Sequence, residues 1–177
     1  MFSARMFCQV LALNAGLVPS LYASTAAAQQ FTTPRTGSIE RTQILDAIRP
    51  APDSKIRFVV HSLRVIKGKS ATFAFAAVEP SKQEYDGGEY ILQRDSAKSA
   101  TRWRVIWAVT GGGANACADI AAYYNSATQH LAKVGIAVDT LKPRHTSEAK
   151  RLAASAFADE DCWSVGDLGP DIAVPDK

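Results

Sequence analysis

The sequence predicts an α+β domain: an N-terminal helix packed on a four-stranded antiparallel sheet, followed by two helices. Three observations carry this. Lys55 to Val60 and Arg102 to Val109 alternate apolar and polar residues at period two, the signature of half-buried strands. The strand-like runs between them are joined by short polar links, which favour an antiparallel meander. The segments on either side carry apolar stripes at helical spacing instead.

In chain order, Ser38 can cap a first helix from Ile39 to about Arg49, with Ile44, Leu45 and Ile48 as its apolar stripe. Arg49-Pro50 ends it, because the residue before a proline avoids the helical region. In the first strand Ile56, Phe58 and Val60 share a face. Leu63 and Val65 then fall out of phase, and a β-bulge near His61 would restore it. Lys67-Gly68-Lys69-Ser70 reads as a hairpin turn. Phe73 and Phe75 lie on one face of the second strand, which Pro80 stops. Tyr90 to Gln93 is a short third strand. In the fourth, Trp103, Val105, Trp107 and Val109 alternate with Arg102, Arg104, Ile106 and Ala108 and are expected on one face. A long helix from about Asn115 to Val134 follows, with Ile120, Tyr124, Ala127 and Leu131 as its stripe and Gly135 as its stop. Thr146 or Ser147 can cap a last helix through Phe157.

The 177-residue chain begins like an export signal. Arg5 is the only charge among residues 1–28, Met6 to Tyr22 is moderately apolar, and Ala26-Ala27-Ala28 offers small residues for cleavage. Gln9, Asn14 and Pro19 argue against a retained membrane helix, and Cys8 has no lipobox before it. Residues 1–28 are thus expected to be a signal peptide, 29–37 a flexible lead-in, 38–165 a single domain and 166–177 a loose tail. Cleavage leaves roughly 150 residues, enough for one core. The formal net charge of +3 falls by one with Arg5. So balanced a chain gives no reason to invoke nucleic acid or an anionic membrane surface.

Export changes the meaning of the cysteines. Cys117 and Cys162 are the two that remain, and in an oxidising compartment they are expected to pair. No Cys-x-x-Cys or Cys/His cluster offers metal-ligand spacing, so no metal is expected. Gly111-Gly112-Gly113 before a helix could cradle an anion, but no dinucleotide or P-loop pattern accompanies it, and no cofactor is expected. None of His61, His130 and His145 forms a recognisable pair with a nucleophile. Candidate ligand or partner contacts are His61, aimed by the bulge; Arg64, in a basic patch with Arg57, Arg102 and Arg104; and Trp103 with Trp107, which could line an apolar pocket, although the default reading is a core for the tryptophans, solvated charges for the arginines and a structural or surface role for His61.

Ile44-Leu45-Asp46-Ala47-Ile48-Arg49-Pro50, Phe58-Val59-Val60, Leu63-Arg64-Val65 and Trp103-Arg104-Val105 together resemble a group of small exported bacterial proteins, over about the first two thirds of the mature chain. The resemblance implies a bacterial envelope setting and nothing about chemistry. A helix followed by a curved antiparallel sheet is also similar in element order to cystatin-like and nuclear-transport-factor-2-like architectures, which does not decide function. The sequence-based expectation is a periplasmic or secreted, non-enzymatic binding module. Its partner would be an envelope protein or a cell-wall component, and one version is an inhibitor. The alternative is a small-molecule pocket protein or enzyme, with a cavity between helix and sheet near Trp103, Trp107 and His61.

Overall fold

The computed structural model describes residues 29–51, 54–82, 86–95, 102–112, 115–157, 161–162 and 166–170. The expected signal peptide and residues 171–177 lie outside these. The described chain is α+β. Helix α1 spans Ile39–Ile48, and strands β1 Phe58–Lys67, β2 Ala71–Pro80, β3 Gly88–Asp95 and β4 Arg104–Thr110 follow. They form one antiparallel sheet in the order β1-β2-β3-β4. Beyond it come β5 Asn115–Ala116, α2 Cys117–Lys133, α3 Val138–Leu141, α4 His145–Phe157 and β6 Asp161–Cys162. Among the described residues three helices therefore follow the sheet, not two, because a helical turn forms before Pro143. Helix α1 follows residues 29–38, so it is the first helix described and does not begin the chain.

Both faces of the sheet are covered. Ile44 and Ile48 of α1 pack with Leu63, Val65, Ala74, Ala76, Val78, Leu92 and Trp103 on one face. On the other, Phe73, Phe75, Ile91, Ile106 and Trp107 pack with Ile120, Tyr123, Tyr124 and Leu131 of α2 and Leu152 of α4. Helix α1 starts where the Ser38 hydroxyl accepts from the Arg41 amide, and it ends at Arg49, whose backbone before Pro50 is extended.

Two bulges set which side chains face which layer. Val60 pairs with Val78 and Ser62 with Ala77, leaving His61 as the extra residue. Phe58 and Val60 thereby share the α1 face with Leu63 and Val65, as the phase shift in the sequence predicts. A second bulge lies in β4, where Ile91 pairs with Trp107 but Leu92 with Val105. Ile106 is extra, and it turns to the α2 face together with Trp107. Trp103 and Val105 stay on the α1 face. The two tryptophans expected on one face are thus on opposite sides of the sheet.

The segments expected to be loose are docked where they are described. Thr32 exchanges backbone hydrogen bonds with Val65 at 2.9 and 2.8 Å, covering part of the free edge of β1. At the other edge Thr110 donates to Asp167 and Gly169 donates to Ala108. Position 166 admits only glycine, since a Cβ there would come within 1.8 Å of the Thr110 carbonyl oxygen. Both edges of the sheet are blunted in this way.

Cys117 and Cys162 form a disulfide, with Cα atoms 5.1 Å apart, at the small β5–β6 ladder. It closes a loop with a sequence separation of 45, which in the chain-entropy account contributes about 4 kcal/mol. Replacing both cysteines by alanine should lower the stability measured by urea unfolding by that order, with the far-ultraviolet circular dichroism of the folded protein unchanged.

Candidate functional site

Helices α2 and α4 leave one end of the sheet uncovered. There an open cleft of about 660 Å³ lies between the ends of the strands and α4. His61, Glu79, Glu89 and Thr110 line its sheet side. Tyr124 of α2 and Arg144, Ser147, Glu148 and Arg151 on and beside α4 line the other. Glu148 and Arg151 fall three residues apart on one side of α4, and Arg144 lines the cleft from the turn just before the helix.

The cleft rests on a buried lysine. Lys142 is fully buried, and Pro143 explains its path: the residue before proline is held extended, here at φ −110° and ψ 103°. The Lys142 Nζ lies 2.9 Å from Glu89 Oε2 and 2.5 Å from Glu148 Oε2. The rings of Tyr124, Phe75 and Trp107 surround it, with centroids 5.3, 5.8 and 5.9 Å away. A buried ammonium is stable only if it is paired and hydrogen-bonded, and both conditions are met here. The Tyr124 hydroxyl joins by hydrogen-bonding Glu148. Burial, with the charges of Glu148 and Glu89, pushes its pKa well up, so Tyr124 stays a proton donor.

His145 lies under this floor, fully buried as the first residue of α4. Its ring stacks on Tyr124 at 4.7 Å and meets Trp107 edge-on at 5.5 Å. Nε2 is 2.8 Å from the Tyr124 carbonyl oxygen. A carbonyl only accepts, so Nε2 carries the proton and Nδ1 is left bare. No described group partners Nδ1. Burial lowers the His145 pKa, reinforced by the nearby Lys142 charge and opposed by the Tyr124 hydrogen bond, Asp139 and Glu148. Helix α4 is capped from outside, not by Thr146 or Ser147: the Asp139 carboxylate accepts from the Thr146 amide at 3.0 Å. Burial alone would raise the Asp139 pKa, but the Thr146 hydrogen bonds and the His145 charge bring it below its ordinary value.

The structure does not bring the four expected contact residues together. His61 lines the cleft, exposed, 3.0 Å from Glu79 Oε2. Arg64 donates to the Thr140 carbonyl at 3.2 Å and lies 4.2 Å over the Phe31 ring, away from the cleft. Trp103 belongs to the α1-side core, with Arg94 at 4.6 Å over its ring. Trp107 is fully buried beneath the cleft and stacked on Tyr123 at 5.6 Å. Neither tryptophan lines a cavity with His61; Trp103 instead borders a separate hollow of about 400 Å³ with Gln43, Asp46, Ala47 and Arg102. Sequence reasoning passed over Lys142, Glu89 and Glu148. A signal existed for one: Glu148 falls between His145, Ala149 and Leu152, on the apolar side of α4. Lys142 gave none, since a lysine before a proline in a connector reads as solvated.

Among the described residues no three His, Cys, Asp or Glu side chains converge to hold a metal ion. No described helix is long and apolar enough to cross a membrane.

Lys142→Met leaves two carboxylates facing each other over an apolar floor and should cost on the order of 3 kcal/mol in chemical unfolding. Adding Glu89→Gln and Glu148→Gln should recover part of that loss by removing the unpaired charges. His145 gives a pH dependence of known sign. Its folded pKa lies below the ordinary 6.5, so the stability due to its neutral form is complete above that value. That stability is lost as pH falls toward the lowered pKa, because only the unfolded chain takes up the proton freely. The melting temperature of the native protein should fall across this window more steeply than that of His145→Gln.

Comparison with known proteins found no matching family, no matching curated protein and no matching solved structure.

Proposed function

We propose that the protein is a non-enzymatic binding module of the bacterial envelope, and that the cleft at the end of the sheet is where it binds. The carrying observation is the contrast between the floor and the walls of the cleft. On the floor, Lys142, Glu89, Glu148 and Tyr124 satisfy one another. On the walls, Arg144 and Arg151 have no carboxylate partner among the described residues, and the His61–Glu79 pair is exposed. A rigid, internally paired floor beneath uncommitted charges is preorganised for recognition, which lowers the cost of binding. Its size falls within the usual range for ligand sites.

The envelope setting is supported by the signal-like residues 1–28, by the disulfide, which suits an oxidising compartment, and by the resemblance to small exported bacterial proteins. In the mature chain of this reading, Ile39–Ile48 is the N-terminal helix, packed on the sheet.

Two measurements test this. N-terminal sequencing of the protein from a periplasmic or culture fraction should begin near Gln29; a full-length cytoplasmic product would contradict export. Immobilised native protein should retain an envelope protein or a cell-wall fragment that immobilised Arg151→Glu, equally well folded, does not. Equal retention by the two proteins would place binding elsewhere.

A further inference from the structure

Resting on the cleft reading, we infer that the ligand is dipolar, of amino-acid or short-peptide type, with a free ammonium group and a free carboxylate. The two walls of the cleft differ in charge. The helix side presents the guanidinium groups of Arg144 and Arg151, its one carboxylate, Glu148, being held by Lys142 at 2.5 Å, and the sheet side presents the carboxylates of Glu79 and Glu89. Glu89 gives one oxygen to Lys142, at 2.9 Å, and is still partly exposed to the cleft. Glu79 is largely exposed and, among the described residues, pairs with the neighbouring His61 alone. A purely anionic ligand would be repelled by the sheet side, and a purely cationic one by the two arginines. A ligand carrying both charges satisfies both walls at once, and paired arginines suit a carboxylate especially well.

The backbone at Arg144 points the same way. Its φ is 65°, and it is the one described non-glycine residue in the left-handed region. Such a conformation is unfavourable for a residue with a Cβ, and it persists where the surroundings impose it. A glycine would fit this turn without strain, yet the position holds an arginine that lines the cleft. Strain kept at a ligand-facing side chain is a mark of a functional position. Arg144→Gly thus separates fold from binding: it relieves the backbone while removing the side chain that carries the guanidinium.

The test is a titration of the uniformly 15N-labelled mature protein with L-alanyl-L-alanine, followed through the amide signals of Gly87, Gly88, Gly111 and Ser147. The free dipeptide should shift these signals in a saturable way at concentrations up to about 10 mM. N-acetylation or C-amidation of the dipeptide should each weaken binding by at least about tenfold. Arg144→Gly and Arg151→Gln should do the same with melting temperatures not lowered. If the blocked dipeptides bind the same residues as well as the free one, the dipolar ligand class is wrong while the cleft remains a binding site. If the free dipeptide leaves the cleft amides unmoved, the inference is overturned, and retention of an envelope partner that Arg151→Glu abolishes still tests the cleft reading by itself.

Discussion

A lysine ammonium held inside the protein fixes the relation between the sheet and the helices behind it. Lys142 Nζ needs Glu89 from β3 and Glu148 from α4 at the same time, and it needs the rings of Phe75, Trp107 and Tyr124 from β2, β4 and α2. Removing a charge from water costs several kcal/mol unless good partners replace the solvent. Any shift of α4 along the sheet would pull one carboxylate away and leave that cost uncompensated. The register of α4 against the strands is therefore set by charge pairing, and apolar packing through Ala149 and Leu152 follows it.

The sheet imposes a second constraint, because it is buried on both faces. A strict alternation would carry each strand's apolar set to one side only. The bulges at His61 and Ile106 resolve this. The first keeps Leu63 and Val65 over α1 and leaves His61 at the cleft. The second sends Ile106 and Trp107 together to the α2 side, where Trp107 supports the rings around Lys142. The irregularities of the sheet are thus what shape the site.

Much of this was legible in the sequence, for local reasons. The phase break between Val60 and Leu63 announces the first bulge, the stripe Ile120, Tyr124, Ala127 and Leu131 announces α2, and the two cysteines remaining after residues 1–28 announce the disulfide. What was not legible depends on contacts distant in the chain. The Ile106 bulge is defined by pairing with Ile91 and Leu92, so Trp103 and Trp107 read as neighbours on one face. Residues 166–170 have the glycine and proline content of a loose tail, yet the glycine at 166 permits close approach to Thr110. Lys142 is interior only because Glu89, more than fifty positions earlier, lies next to it. The site was hidden for that reason: His61 was found through strand phase, whereas the charges around it are assembled by tertiary structure.

The account stands on the buried, paired state of Lys142, and the side-chain ammonium can be observed directly. Proton–nitrogen spectra of the lysine Nζ groups near neutral pH separate ammonium groups that exchange rapidly with water from those that do not. One lysine ammonium should persist in such spectra, shifted by the surrounding rings, and it should vanish in Lys142→Met. Spectra in which every lysine ammonium of the native protein exchanges as fast as a surface group would contradict the buried pairing and the cleft built upon it.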